Sequence, residues 1–245
     1  MYGIPIDEHE QQRNDKQHAK FLLLLDGRLH LAPIQHPQKI LDIGTGSGIW
    51  ATNMADKYPE AQVFEIEDAE EDWTFRKNSF DLIYGRELIV SIRDWPKLIK
   101  QSFDHIRPGG FLELAMTNPA TRCDDGSRDL EHSYFAYSGK LFYEVTQKMG
   151  SPLDAMDQWE AQFAEAGFVD IQHFDLKVPM GPWAKDQRLK KIGLLELHNL
   201  NEGYEAYLLR GLTQVLGFSK EEATVMMAKG RSEFLNPRYH TYVHL

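Results

Sequence analysis

The chain has 245 residues, a formal net charge of −10 and a hydrophobic content of 42%. This length suits one large domain with additions rather than two independent domains, and the acidic balance argues against general binding to nucleic-acid backbones. The single cysteine, Cys123, excludes an internal disulfide and fits a reducing compartment.

The first half of the chain alternates strand and helix patterns. Residues 7–19 and the leucine run that follows predict a helix that ends near Asp26-Gly27. Beyond it, short apolar runs predict strands, and apolar residues at helical spacing predict the helices between them. The predicted strands are residues 39–43, 61–66, 79–84 and 111–115, and the predicted helices are residues 50–58 and 94–106. This alternation is typical of an α/β fold with a parallel, doubly wound, Rossmann-like sheet.

The second half is mostly helical in pattern, with a strand signal over residues 169–178. We predict one domain, residues 1–245, with its sheet core at residues 39–115 and a helical cap over the carboxyl ends of the strands. The predicted cap segments are residues 1–30, 127–166 and 186–235. No run is long enough to span a bilayer and no signal peptide is evident, so we expect a soluble intracellular protein.

The most informative motif lies between the first strand and the first crossover helix. Three glycines alternate with other residues in the run Gly44-Thr45-Gly46-Ser47-Gly48, and Asp42 precedes the first glycine by two positions. Glycines let backbone N–H groups approach a ligand closely because no Cβ intervenes. The spacing differs from the G-x-G-x-x-G of dinucleotide folds and is the one that S-adenosylmethionine (SAM) methyltransferases use. A tight turn without a ligand is the alternative.

Longer segments resemble one family, the LaeA-like fungal class I methyltransferases of secondary metabolism. The most diagnostic are Ser91-Ile92-Arg93-Asp94-Trp95-Pro96 and Asn236-Pro237-Arg238-Tyr239-His240. The other similar segments, in family order, are residues 21–33, 41–50, 67–70, 107–114, 124–126 and 178–183. The resemblance implies a SAM-dependent methyltransferase whose cofactor product is S-adenosylhomocysteine (SAH).

The resemblance places the amino-acid end of SAM at the glycine turn. Asp42 would accept a charge-assisted hydrogen bond from the methionine ammonium, because a carboxylate is the natural partner of that group. Gly44, Thr45, Gly46 and Gly48 would form the surrounding backbone. Alternatively, Asp42 caps backbone N–H groups of the turn.

Other cofactor contacts follow from the same resemblance. Asp68 and Ala69 would lie against adenine, although a solvated acidic run is the alternative for this segment. Gly85 and Arg86 would lie beside the methionine part of SAM, although Arg86 could instead pair with a nearby carboxylate. Gln17 would belong to an N-terminal helix that closes over the cofactor.

Glu65 has two interpretations. It lies about 20 residues past the glycines, where a Rossmann-like site has an acidic residue for the ribose hydroxyls. The family comparison instead aligns Glu65 with a later strand, and leaves the ribose carboxylate and its loop without a counterpart between Phe64 and Glu65. A parallel crossover needs about ten to twelve residues, so either the sequence omits a loop here or the chain is truly shortened.

No residue is an obvious catalytic base. Methyl transfer depends strongly on in-line positioning, and histidine is the usual base for a hydroxyl acceptor. The candidates are His132, His198 and His240, together with Tyr134 and Tyr137 near His132 in the sequence, and a structural role is the alternative for each. No histidine or cysteine cluster with ligand spacing is present, so we predict no metal site.

Three functions remain open. The first is methyl transfer to oxygen or nitrogen of a small-molecule secondary metabolite, which we favour because no basic nuclear-targeting run is present. The second is a regulatory methyltransferase that acts with velvet-like protein partners, and the third is a fold that binds SAM without transferring methyl. We expect a small-molecule acceptor, with a protein partner or homodimer as further options, no direct nucleic-acid contact, no membrane span, and a cytoplasmic or nuclear location.

Overall fold

The computed structural model of the protein describes residues 8–66, 68–88 and 90–245, with side chains from Arg13 onward. The described chain forms two compact units. The sheet unit comprises Leu25–Met116 and Asp154–His173. The helical unit comprises the described residues up to Leu24, together with Thr117–Leu153 and Phe174–Leu245.

Four parallel strands form the centre of the sheet unit. They are β1 (Lys39–Ile43), β2 (Gln62–Ile66), β3 (Phe80–Arg86) and β4 (Ile106–Ala115). Their spatial order is β2-β1-β3-β4, and each neighbouring pair is parallel. The predicted strands and their α/β arrangement are therefore confirmed. The core beneath them includes Leu41, Ile83 and Leu98, each at most 1% exposed.

β4 begins at Ile106, earlier than predicted, because it contains a bulge. Residues 107–110, which connect the predicted helix to the predicted strand, lie within β4 instead, between two β3–β4 pairs whose register shifts at this point. A Cβ on Gly110 would lie only 2.8 Å from the Phe80 carbonyl oxygen, so only glycine fits here. Glycine and proline are typical of such bulges.

Helices occur in both units. They are α1 (Glu8–Leu24), α2 (Ile49–Lys57), α3 (Trp95–His105), α4 (Tyr134–Lys148), α5 (Trp159–Ala166), α6 (Gln187–Arg210) and α7 (Lys220–Phe234). In the sheet unit, α5 packs against α3, and the short 3-10 turn Ala155–Gln158 precedes it. In the helical unit, α1 packs against α6 and α4 packs against α7.

The helical unit also contains a small antiparallel sheet that the sequence analysis missed. Its strands are β5 (Asn118–Arg122), β6 (Lys177–Pro179) and β7 (Tyr242–His244), in the order β5-β7-β6. The strand signal over residues 169–178 was wrong for most of its length, because β6 begins only at Lys177, after the backbone hydrogen bonds that Leu176 exchanges with Leu245. These strands are short and pair across large sequence separations, which leaves little local signal.

The predicted cap segments divide between the two units. Residues 127–153 and 186–235 belong to the helical unit, whereas residues 154–166 belong to the sheet unit. The cap and the single-domain organisation stay predictions. Within the described residues, no helix is long and apolar enough to cross a membrane.

Candidate cofactor site

The glycine turn lies between the carboxyl end of β1 and the start of α2. Gly44, Gly46 and Gly48 have φ angles of 67°, 62° and 77°, a region that side chains with a Cβ disfavour. Gly44 is further restricted, because a Cβ there would lie 2.5 Å from Leu88 Cδ2. The sequence therefore folds here into a turn of exposed backbone at a helix N-terminus, which suits a polar ligand.

Asp42 is buried beside this turn with one carboxylate oxygen unsatisfied. Its side chain is 4% exposed, and Oδ2 has no hydrogen-bond partner among the described residues. Burial raises the pKa of Asp42 to about 7, against the opposing charge of Arg86. An unpaired buried oxygen costs free energy, and an ammonium group would supply the missing donor. This position therefore fits the amino-acid end of SAM.

The other predicted cofactor residues of the sheet unit lie at the same edge. The carboxyl ends of parallel strands meet at one edge, where ligands bind in open α/β sheets. Glu65 is exposed and pairs in register with Asp42. Gly85 pairs with Ile43, and Arg86 ends β3. The fold thus brings together residues that are separated by more than forty positions in the sequence.

Asp68 and Ala69 follow β2 and differ in exposure. Asp68 is exposed, and its Oδ1 accepts a hydrogen bond from the Glu70 N–H at 3.0 Å. Ala69 is buried, and its carbonyl oxygen accepts from Trp73 Nε1 at 3.0 Å. These contacts give the segment a defined turn, with an exposed carboxylate available as an acceptor.

Glu70 connects two of the segments that carry the family resemblance. Its Oε1 accepts from the backbone N–H groups of Arg93 at 2.6 Å and of Asp94 at 3.0 Å. Its second oxygen lies 3.6 Å from the Arg93 guanidinium. The loop after β2 is therefore fastened to the start of α3.

Two aromatic residues and a glutamate near Asp42 were missed by the sequence analysis. Tyr84 pairs in register with Asp42, and its ring stacks on Trp50 with the centroids 4.0 Å apart. Burial raises the pKa of Tyr84 far above its ordinary value. Glu113 pairs in register with Tyr84. The sequence signal that could have revealed Glu113 is its position as a charged residue within the predicted apolar strand Phe111–Ala115.

Gln17 and the candidate bases lie in the helical unit. Gln17 is buried on α1. His132 is exposed, with Nδ1 2.6 Å from Asp129 Oδ2, and that hydrogen bond holds the pKa of Asp129 below its usual range. His198 Nε2 lies 2.9 Å from Lys16 Nζ. Their contacts are those of surface histidines in polar pairs.

Of the remaining candidates, Tyr134 and His240 have polar partners. The hydroxyl of Tyr134 accepts from Lys229 Nζ at 3.0 Å, and Tyr137 is 47% exposed. His240 Nδ1 lies 2.5 Å from Asp125 Oδ2, and its ring stacks on Trp183 with the centroids 5.2 Å apart. Their catalytic roles stay predictions. Among the described side chains, no group of three or more histidines, cysteines and carboxylates is arranged to hold a metal ion.

Comparison with known proteins identifies the class of protein. Residues 12–173 match the methyltransferase-domain family. The chain is 36% identical to methyltransferase pytC from Aspergillus terreus, covering 98% of this chain and 79% of that protein. It is 32% identical to the probable methyltransferase tdiE from Emericella nidulans, covering 95% and 78%. It is also 32% identical to the secondary metabolism regulator laeA from Fusarium oxysporum f. sp. lycopersici, covering 100% and 85%.

The chain therefore belongs to the LaeA-like family of class I methyltransferases, which confirms the resemblance found in the sequence. It is a SAM-dependent methyltransferase, and the unsatisfied oxygen of Asp42 beside the glycine turn fits that cofactor. The individual contacts to SAM stay predictions.

The structure around Glu65 bears on the loop that the sequence analysis left open between Phe64 and Glu65. The alignment with laeA spans 269 positions although this chain has 245 residues, so that relative carries residues that this chain lacks. β2 nevertheless runs through Phe64 and Glu65 without a break and pairs with β1 along its length. Glu65 thus lies at the end of the strand beside β1, where Rossmann-like sites have their ribose carboxylate.

Proposed function

We propose that this protein transfers the methyl group of SAM to an oxygen or nitrogen atom of a small-molecule secondary metabolite. The observation that carries the cofactor part is Asp42, a buried carboxylate beside the glycine turn with an oxygen that has no donor among the described residues. The relatives pytC and tdiE, which are named as methyltransferases, support the transfer.

The sheet unit supplies the binding chemistry that such a reaction needs. Bound SAM carries an electrophilic methyl group on a sulfonium centre. Asp42 would hold the ammonium of the cofactor, and Asp68 would accept from the adenine amine. Orientation contributes much of the rate of a bimolecular transfer, so residues placed on the ends of rigid strands are well suited to this task.

A second candidate function is regulation through a protein acceptor or partner. The observation that favours it is that relatives at 30–32% identity are named secondary metabolism regulators. The cofactor site would be the same in both functions, and the acceptor would differ.

Calorimetric titration of the full chain with SAH tests the cofactor site. We expect micromolar binding, which Asp42→Asn weakens by about tenfold or more because it removes a charge-assisted hydrogen bond. Gly46→Arg should abolish binding. Asp56→Asn is the matched control, since it removes the same charge from an exposed position on α2. A folded wild-type protein that does not bind SAH would contradict the proposal.

The acceptor is tested by transfer of a labelled methyl group from SAM in a fungal cell extract. Label in the solvent-extracted metabolites would support the small-molecule acceptor. Label in the precipitated protein would support the regulatory function instead. The Gly46→Arg variant is the background control in both fractions.

A further inference from the structure

A row of polar side chains crosses one face of the parallel sheet. Register pairs join Glu65 to Asp42, Asp42 to Tyr84, and Tyr84 to Glu113. Residues paired in this way on neighbouring parallel strands lie on the same face of the sheet. The row therefore extends from Glu65 on the edge strand β2, past Asp42 on β1, to Glu113 on β4.

Glu113, at the β4 end of this row, holds a backbone segment that precedes β1. Its Oε2 accepts from the N–H groups of Leu31 at 2.8 Å and Ala32 at 2.7 Å, and its Oε1 lies 3.0 Å from the Leu31 nitrogen. Burial raises the pKa of Glu113, and the two backbone donors oppose that rise. We call residues 29–32 the entry segment.

The entry segment is also fastened to α2. Trp50 Nε1 donates to the Leu29 carbonyl oxygen at 2.8 Å. Burial lowers the pKa of His30, which favours the neutral ring. Its Nδ1 then donates to the Ala32 carbonyl oxygen at 2.8 Å, and its Nε2 accepts from the Tyr58 hydroxyl at 2.9 Å. Glu113 therefore holds Leu31 and Ala32, whereas Trp50 of α2 and Tyr58, directly after α2, hold Leu29 and His30.

Trp50 joins this assembly to the cofactor site. It is the second residue of α2, directly after the glycine turn. Its ring lies nearly parallel to that of Tyr84, at an interplanar angle of 6°, and Tyr84 lies beside Asp42. A displacement of the entry segment would thus reach both Trp50 and Tyr84.

We propose that Glu113 is a positioning residue for SAM binding. It holds the entry segment, which in turn keeps Trp50 and Tyr84 in place against the glycine turn and Asp42. The proposal rests on the proposed function, because it assumes that SAM binds at this turn. It predicts that Glu113 affects cofactor affinity without contacting the cofactor.

The test compares Glu113→Gln with Asp81→Asn. Asp81 is the control, since its Oδ2 accepts from the backbone N–H groups of Gln38 and Lys39 at 2.8 Å each, near the opposite end of β3. Its Oδ1 also pairs with the Arg107 guanidinium at 2.5 Å, so the loss of stability in Asp81→Asn includes this ion pair. In either variant an amide replaces a carboxylate, which removes one acceptor and introduces a donor beside backbone N–H groups. Both should therefore lower the urea midpoint.

SAH affinity should separate the two variants. We expect Glu113→Gln to raise the SAH dissociation constant about tenfold, equivalent to about 1.4 kcal/mol. We expect Asp81→Asn to leave the SAH dissociation constant within about twofold of the wild-type value. Hydrogen exchange in the free protein should show faster exchange of the Leu31 and Ala32 amides in Glu113→Gln only.

Three outcomes would overturn the inference. The first is unchanged SAH affinity in Glu113→Gln despite faster exchange of the entry segment. The second is an equal loss of affinity in both variants, which would show general destabilisation. The third is a wild-type protein that does not bind SAH, which would overturn the proposed function as well. If Glu113→Gln does not fold, Tyr58→Phe loosens the entry segment from α2, and unchanged affinity there would also overturn the inference.

Discussion

At the residue scale, the ionisation of Asp42 links stability to pH. The side chain ionises at about pH 7 in the folded protein, against an ordinary value of 3.8. Between these values the folded chain binds a proton that the unfolded chain has lost. Stability contributed by this proton is therefore present at low pH and falls as the pH rises through this window. At a pH above this window Asp42 is ionised and can pair with an ammonium group. At the same pH its contribution to the stability of the free protein is lowest.

The variant Asp42→Asn should remove this pH dependence. Asparagine cannot ionise, so the variant should melt close to the wild type near pH 4 and above it at pH 8. The shift of about three pKa units corresponds to at most about 4 kcal/mol at pH 8. Thermal melts of the free proteins across this range are the measurement. If the melting temperatures of the variant and the wild type differed by the same amount at every pH, Asp42 would not titrate as described.

Asp42 and Glu113 differ in how far the local sequence reveals their roles. Asp42 was found because it lies two positions before a glycine run, a spacing that is visible in the sequence. Glu113 was missed because its backbone partners lie 81 and 82 positions earlier in the chain. Only the paired strands show that these residues are neighbours.

At the element scale, the start of α3 depends on a side-chain cap. Asp94 Oδ1 accepts from the Lys97 N–H at 2.9 Å, and Pro96 follows within the first turn, where a missing N–H is tolerated. Glu70 holds the two residues that enter the helix, Arg93 and Asp94. Two segments of the family resemblance therefore act together to fix the direction of this helix.

Loss of the cap should destabilise the protein by a predictable amount. We expect Asp94→Ala to lower the free energy of unfolding by about 1 kcal/mol, whereas Asp94→Ser, which keeps an acceptor, should lose much less. Urea denaturation followed by circular dichroism measures both. If Asp94→Ser lowered the free energy of unfolding as much as Asp94→Ala, the side-chain cap would not be the stabilising contact.

At the scale of the whole molecule, the helical unit joins segments that are far apart in the chain. Lys20 on α1 and Glu196 on α6 form an ion pair at 2.6 Å, with side chains 1% and 7% exposed. Lys16 and Glu202 form a second pair at 2.8 Å between the same helices. Both pairs lie between the faces of α1 and α6 that pack against each other.

Replacing one residue of the buried Lys20–Glu196 pair should lower the stability of the protein much more than replacing both. Lys20→Met leaves Glu196 charged and buried, so we expect a loss of about 3–5 kcal/mol, whereas Lys20→Met combined with Glu196→Leu should be close to the wild type. Chemical denaturation of the wild type and of the two single and one double variants forms a double-mutant cycle. Additive losses would indicate that the two side chains do not interact.

Local sequence patterns were sufficient to predict the strands of the parallel sheet and the glycine turn, and the family resemblance was sufficient to predict the class of protein. These features depend on local properties: apolar runs bounded by turns predict strands, and glycine alone readily adopts the backbone angles of the turn. Three features are visible only in the tertiary structure: the antiparallel sheet β5-β7-β6, the polar row that ends at Glu113, and the packing of α1 against α6. Each of these joins residues distant in sequence, and their partners become neighbours only when the chain folds.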